Sequence, residues 1–273
     1  MKRWLNLLAI EWKKAKSFYA FGISIVAQLV VFVVLLVVGV NLDIEVEGVS
    51  ISPFFEFPHI WTSFAWLLGW ISLFTGFAFL VIVGAEFGER TFNFQLANGL
   101  KRYELLGAKV LLAIVLSAFW SLVLFIVAIV FGSYHTPSLG FADIYQGLEV
   151  SLFFFLRTFC LLAITLVIAF LIRNTALSIL AFVVIIPFEA MLRTVFPEVA
   201  RYFFPLKALQ NLAPMPDFFG LAVMNNPELA ALKSTVTAVD TPLIPIEITV
   251  AVVVIYSIAS LTAIFFFLRK RSF

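Results

Sequence analysis

The chain has 273 residues, of which 63% are hydrophobic and only 12% are charged, and its mean hydropathy is +1.10. About a quarter of the residues in a soluble globular domain are charged, so this composition excludes a soluble domain and indicates an integral membrane protein. The formal net charge is only +2, so the placement of the basic residues is more informative than their total. The single cysteine, Cys160, lies in an apolar run and excludes an intramolecular disulfide framework.

Residues 1–17 predict an amphipathic helix that lies in the membrane interface. On a helical wheel, apolar residues gather on one side and lysines on the other. Such a helix buries its apolar face in lipid and directs its lysines toward headgroup phosphates, although a disordered basic tail is the alternative. The apolar side comprises Trp4, Leu5, Leu8, Trp12 and Ala15, and the polar side comprises Lys2, Asn6, Lys13 and Lys16.

Six apolar runs long enough to cross a bilayer follow. A helix needs about 20 residues to cross the hydrocarbon core, and continuous rather than alternating runs favour helices over a barrel. We therefore expect an all-α integral membrane protein with six transmembrane helices, forming a single transmembrane domain over 1–273. The expected spans are residues 18–40, 64–85, 110–131, 150–172, 175–195 and 248–268.

The basic residues set the expected orientation. With the N-terminus inside the cell, 13 of the 18 lysines and arginines lie on the cytoplasmic side, as the positive-inside rule requires. Both termini are therefore expected in the cytoplasm. The first apolar run is longer than the roughly 7–15 residues of a signal-peptide core, so we expect the first span to be retained.

A charged segment at 86–104 joins the second and third spans. It carries acidic as well as basic residues together with phenylalanines, whereas a plain cytoplasmic connector needs only positive charge. The Asn-Gly dipeptide at 98–99 predicts a turn, preceded most simply by a short helix. The alternation of Phe92, Phe94 and Leu96 does not fit helical spacing, however. The pattern leaves two interpretations open, a partner-docking loop and a simple connector.

The segment at 196–247 is the longest between two expected spans and contains seven prolines. It is too apolar for a disordered linker. We therefore expect short external helices before the last span, over 198–212 and 217–233.

Two ionisable residues, Arg157 and Glu189, fall inside the fourth and fifth spans. A very short turn at 173–174 joins these spans, so they are expected to form an antiparallel hairpin. Both residues lie about 23 Å from this turn at a rise of about 1.5 Å per residue, and hence at one depth. We predict that they form an intramembrane charge pair, which either fixes the hairpin register or contacts a substrate.

The charged segment resembles the first cytoplasmic loop of the type-2 ABC transporter permeases, the membrane subunits of type V ABC exporters. The layout of the whole chain is similar as well, with a basic N-terminal helix, six spans, a longer segment before the last span and a basic C-terminus. A weaker likeness covers residues 202–212. This chain has Gly-Ala-Lys at 107–109, where Gly-Lys is frequent in the family. The likeness rests on Glu86, Glu89, Arg90, Thr91, Leu96, Gly99, Lys101, Arg102, Glu104 and Lys109.

The resemblance implies that segment 86–104 is a coupling loop, which sits in a cleft of a separate ABC ATP-binding subunit. It also implies a second permease copy in a homodimer, a location in the cell (inner) membrane among membrane lipid, and an external segment that caps the exit of the pathway. The residues carried over to the ATPase contact or its support are Glu86, Glu89, Arg90, Thr91, Phe92, Leu96, Lys101 and Arg102.

The sequence contains no G-x-x-x-x-G-K-[ST] motif to cradle phosphates. ATP and magnesium are therefore expected on the partner subunit, and we expect no cofactor, metal, catalytic residue or nucleic-acid partner for this chain. Two alternatives stay open. One is an intramembrane enzyme acting on lipid or peptide, although neither an H-E-x-x-H nor a G-x-S-x-G motif is present. The other is an ATP-independent membrane carrier or scaffold.

Overall fold

The computed structural model describes residues 2–41, 52–88, 91–136, 140–217 and 244–270. Throughout these ranges the regular secondary structure is helical, as the sequence predicts, with one 3-10 turn at Ser52–Phe55. The helices are α1 (Lys2–Ser17), α2 (Tyr19–Asn41), α3 (His59–Gly88), α4 (Thr91–Ala97), α5 (Arg102–His135), α6 (Phe141–Ile172), α7 (Thr175–Val195), α8 (Glu198–Arg201), α9 (Pro205–Asn211) and α10 (Ile246–Lys270).

Five of the described helices, α3, α5, α6, α7 and α10, are long and apolar enough to cross a membrane. A sixth span is obtained when α1 and α2 are counted together, and these two helices are bent by 77° relative to each other. The helices therefore fit a multi-pass membrane protein with five or six spans. The expected count of six and the position of α1 in the membrane interface stay predictions.

Two of the long helices extend well beyond the apolar runs from which they were predicted. An acidic residue near the start of each accepts a hydrogen bond from the backbone N–H that precedes the helix. Glu104 accepts from Lys101 at 3.0 Å in α5, and Asp143 accepts from Gly140 at 2.9 Å in α6. A carboxylate in the first turn satisfies a free N–H group and complements the helix dipole. Polar first turns thus lengthen these helices past their apolar segments.

Helices α6 and α7 form the hairpin that the sequence predicts. Only Arg173 and Asn174 separate them, and Arg173 adopts a left-handed backbone conformation with φ of 55°. The Asn174 side chain accepts a hydrogen bond from the Leu177 N–H at 3.1 Å and so caps α7. Helix α6 also packs against α3, α5 and α10, which makes it the centre of the bundle.

Helix α9 packs into the bundle, although the sequence places it at the outer surface. Leu206, Ala208 and Leu209 are buried in a cluster formed with residues of α6, α7 and α10. The short external helices predicted over 198–212 are α8 and α9. The second predicted helix, over 217–233, lies outside the described residues apart from Asp217.

Helix α1 turns one face toward α5, and this face coincides only in part with the apolar face on the helical wheel. Leu7, Glu11 and Ala15 are buried, at a spacing of four residues, whereas Leu5 and Trp12 are exposed. On the wheel Glu11 lies beside Trp4 and Ala15 rather than with the lysines, but hydropathy alone cannot show that a neighbouring helix supplies a cation for it. The Trp4 ring lies over Gly107 of α5, where an added Cβ atom would come within 2.4 Å of it.

Substitution of Gly107→Ala is expected to lower the midpoint of thermal unfolding, Tm, because the new methyl group would overlap the Trp4 ring. We expect a loss of about 1–3 kcal/mol and faster proteolysis within α1. Gly22→Ala is the matched control, since no atom lies within 4 Å of a Cβ atom added there. Equal Tm values for the two variants would show that α1 does not dock on α5.

Candidate functional site

The charged segment contains a short helix and a turn, as the simplest sequence interpretation predicts. Helix α4 covers Thr91–Ala97, the turn follows at 98–99 with Gly99 at a φ of +87°, and α5 then begins at Arg102. The positive φ explains the glycine, because other residues rarely adopt it. Two predicted site residues, Glu89 and Arg90, lie outside the described residues.

Helix α4 is fixed to the bundle by its first phenylalanine and exposes its second. The buried Phe92 ring lies 5.4 Å from the ring of Phe87 in α3 and 5.8 Å from the ring of Phe170 in α6, measured between centroids. Leu96 is half-buried on the same side. Phe94 is 68% exposed. In a helix, residues 92 and 96 lie on the same side and residue 94 does not. Phe92 and Leu96 therefore pack against the bundle, whereas Phe94 projects from it.

The remaining coupling-loop residues divide between support and surface. Lys101 is exposed and lies 5.8 Å from the Tyr103 ring, which is also exposed. Arg102 instead donates a hydrogen bond through Nη1 to the backbone carbonyl of Leu268, near the end of α10. Thr91, at the start of α4, is half-buried. The large exposed side chains of this segment are therefore Phe94, Lys101 and Tyr103, a set that we name the α4 surface.

Glu86 does not belong to this surface, because it lies in a buried ring of four alternating charges. Its Oε1 atom contacts the ammonium groups of Lys14 at 3.2 Å and of Lys109. Both lysines also contact Glu11, Lys14 at 2.6 Å. The ring therefore joins α1, α3 and α5 through two cations and two anions. Lys109 is only 1% exposed, so its charge requires both carboxylates.

The charge ring shifts the pKa values of Glu11 and Lys14, its two members in α1. Burial alone would raise the pKa of Glu11, but the ammonium groups of Lys109 and Lys14 outweigh it and hold this pKa below its ordinary value of 4.5. Burial would likewise lower the pKa of Lys14, whereas Glu86 and Glu11 raise it above 10.5. Between pH 4.5 and pH 10.5 the charged forms of both residues are therefore favoured.

A second ion pair joins α1 to the start of α5. The Arg3 guanidinium lies 2.7 Å from the carboxylate of Glu104. Because the Arg3 side chain is mostly exposed, this pair contributes little to stability compared with the charge ring. Together with the Arg102 contact, it brings α1 and the C-terminal part of α10 to the start of α5.

The sequence did not identify Glu11, Lys14 and Lys109 as an interacting group. Glu11 and Lys14 lie three residues apart on one helix, so an ion pair between these two could have been predicted from the sequence. Lys109 stands at the edge of an apolar run, where basic residues are expected for topological reasons alone. Its partners come from segments 23 and 98 residues away, a distance that sequence spacing cannot bridge.

The predicted Arg157–Glu189 charge pair is not formed, because each side chain has other partners within the described residues. Arg157 donates hydrogen bonds to the carbonyl groups of Gly69 at 2.9 Å and Leu209 at 3.1 Å, and to the Ser72 hydroxyl at 2.8 Å. Glu189 accepts from the backbone N–H groups of α9. The prediction was wrong because both side chains bond to the backbone of α9 instead. The equal depth of the two residues on the hairpin gave no information about the position of α9.

Helix α9 is held at both of its ends by these two charges. The Glu189 carboxylate accepts hydrogen bonds from Leu206 and Lys207, each at 2.9 Å, at the N-terminus of α9. Near its C-terminus, the Leu209 carbonyl accepts from the Arg157 guanidinium. An anion at the N-terminus and a cation at the C-terminus both satisfy free backbone groups and complement the helix dipole.

Within the described residues, no group of three or more His, Cys, Asp or Glu side chains is arranged to hold a metal ion. Comparison with known protein families, with curated proteins and with solved structures found no match for this chain.

Substitution of Lys109→Met is expected to destabilise the protein by about 3–5 kcal/mol, because it leaves Glu11 and Glu86 buried with Lys14 as their shared cation. The measurement is Tm of the purified chain in detergent. Lys13→Met is the control, since Lys13 is exposed on the same helix as Lys14. Adding Glu11→Gln to the Lys109 variant should restore part of the loss, and strict additivity of the two effects would contradict a shared ring.

The Glu11 carboxylate is expected to make stability depend on pH on the acidic side. Because its folded pKa lies below 4.5, its contribution is complete above that value and is lost as pH falls through the folded pKa. We expect Tm to fall as pH is lowered below 4.5, and to fall less in Glu11→Gln. An identical pH profile for the two proteins would contradict this assignment. The raised pKa of Lys14 makes the corresponding alkaline loss begin only above 10.5.

Proposed function

We propose that this chain is the membrane-spanning permease subunit of an ATP-driven ABC exporter. It works as a dimer in the cell (inner) membrane, with both termini in the cytoplasm, and is coupled to a separate ATP-binding subunit through the α4 surface. ATP and magnesium belong to that partner. The proposal starts from the resemblance of residues 86–109 to the coupling loop of type-2 permeases.

The observation that carries the proposal is the exposure of Phe94 on a helix that is otherwise fixed to the bundle. An aromatic side chain that is 68% exposed, in the same short segment as the exposed Lys101 and Tyr103, offers the apolar centre and polar rim of a docking surface. A simple connector has no need to bury one phenylalanine and project the next. This contrast favours a docking loop over the connector that the sequence left open.

The contacts of α4 give a path for force from a docked partner. A push on Phe94 moves α4 as a unit, since Phe92 packs on α3 and α6. At its other end the turn leads into α5, and Arg102 binds the backbone of α10. The charge ring resists separation of α3 from α5 under this load. Movement of the partner is thereby passed to four of the membrane-length helices.

The proposal is tested by association with an ATPase. We expect the tagged full chain, purified from its native membrane, to retain a polypeptide with a Walker A sequence and ATPase activity. Phe94→Asp is expected to reduce this association at least about tenfold, because a charge replaces the apolar centre of the surface. Its own fold should be unaffected, since Phe94 makes few buried contacts.

Phe141→Asp is the matched control, because Phe141 is 85% exposed at the opposite end of α6. It should leave the association unchanged. Retention of the ATPase by Phe94→Asp at the wild-type level would refute docking through α4. If no ATPase accompanies the wild-type chain, an ATP-independent carrier or scaffold becomes the better account.

A further inference from the structure

A cavity of about 280 Å³ lies between α3, α6, α7 and α9, and the charge ring takes no part in it. Its walls are mainly apolar, and four polar residues line it, one from α6 and three from α9. The apolar walls include Trp66, Trp70, Leu73 and Ile186, and the polar lining residues are Arg157, Lys207, Gln210 and Asn211.

Arg157 brings a buried positive charge to this cavity. The residue is 8% exposed, and its three hydrogen bonds go to neutral acceptors, the carbonyl groups of Gly69 and Leu209 and the Ser72 hydroxyl. No carboxylate among the described residues lies within ion-pair distance of it. A guanidinium carries five N–H groups, so donors remain after these three bonds. A buried charge without a counter-charge is costly, and an anion in the cavity would relieve that cost.

Asn211 supplies a second donor without a partner. It is 5% exposed, and its Nδ2 atom has no hydrogen-bond partner within the described residues. It follows Leu209 by two residues, so α9 presents its amide to the same cavity that Arg157 enters. A buried unsatisfied donor destabilises a protein by about 1–3 kcal/mol, which makes an acceptor on a bound molecule the natural complement.

The apolar walls decide what kind of anion fits. Trp66 and Leu73 line the cavity beside Trp70, which is 52% exposed and marks the side on which the cavity meets the surroundings of α3. A volume of about 280 Å³ is at the small end for a ligand site, so it suits a headgroup and the first carbons of a chain. We propose that this cavity binds the phosphate or carboxylate headgroup of an anionic amphiphile, held by Arg157 and Asn211.

The site is separate from the α4 surface, so the proposal does not depend on the coupling function. Its test uses the purified full chain in nanodiscs of zwitterionic lipid, with oleyl phosphate, oleyl alcohol and inorganic phosphate as probes. Binding is read as the rise of Tm with the amount of probe. We expect oleyl phosphate to bind at least about tenfold more tightly than oleyl alcohol, because only the phosphate can pair with the guanidinium. Inorganic phosphate should cause no rise at the same concentration.

Asn211→Leu isolates the cavity from general lipid effects. It removes the unpartnered amide with little change of shape, so Tm without probe should equal or exceed that of the wild type. Affinity for oleyl phosphate should fall about tenfold. Thr158→Val is the control, since the Thr158 hydroxyl is also buried without a partner among the described residues but does not line the cavity. This variant should bind as the wild type does.

Three outcomes would overturn the proposal. Equal binding of oleyl phosphate and oleyl alcohol would show that the cavity does not recognise the negative charge of the headgroup. This comparison needs no variant. An equal response to inorganic phosphate would identify a free anion as the ligand rather than an amphiphile. Unchanged affinity in a folded Asn211→Leu would place the ligand outside the cavity.

Discussion

The ammonium group of Lys109 is almost completely buried, and it contacts carboxylates from two other helices. In an apolar bundle this charge is tolerable only while both partners stay in place, so the positions of α1, α3 and α5 depend on one another. Lys14 closes the ring by contacting the same two carboxylates, and it is the most exposed of the four side chains. The geometry of this end of the molecule follows from that requirement, including the face that α1 turns inward.

The same requirement is met differently at α9. Arg157 and Glu189 find backbone groups rather than each other, and a short helix is held between an anion at its start and a cation near its end. Glycine at position 69 makes this possible, because an added Cβ atom would lie 3.0 Å from the Arg157 guanidinium carbon. One end of the bundle thus pairs its buried cations with carboxylates. The other keeps a cation and an amide facing a cavity with apolar walls.

These two arrangements suit different tasks. A closed charge ring is rigid, and it lies next to α4, where the proposed coupling needs a stiff connection between an exposed phenylalanine and several long helices. A cavity with unsatisfied donors is instead suited to binding. In the proposed exporter, force enters at the rigid end, and an anionic amphiphile is held at the other. No direct contact between the two sites is needed, because α3 and α6 contribute to both.

The sequence by itself determined the helical membrane character, the α6–α7 hairpin, the short helix and turn at 91–99, and a helical segment within 198–212. These features follow from local properties: uninterrupted apolar runs, the Asn-Gly turn and the positions of prolines. Phe94 was recognised only as part of an alternating pattern, because exposure depends on which side of α4 meets the bundle.

Tertiary structure alone decided which charges meet. Glu86 looked like a docking residue and is a buried member of the ring, while Arg157 and Glu189 looked like a pair and are separated by α9. Depth along a helix is readable from residue counts, but the rotation of one helix against another and the entry of a third are not. A buried charge needs a partner, and only the packing of distant segments determines which one it has.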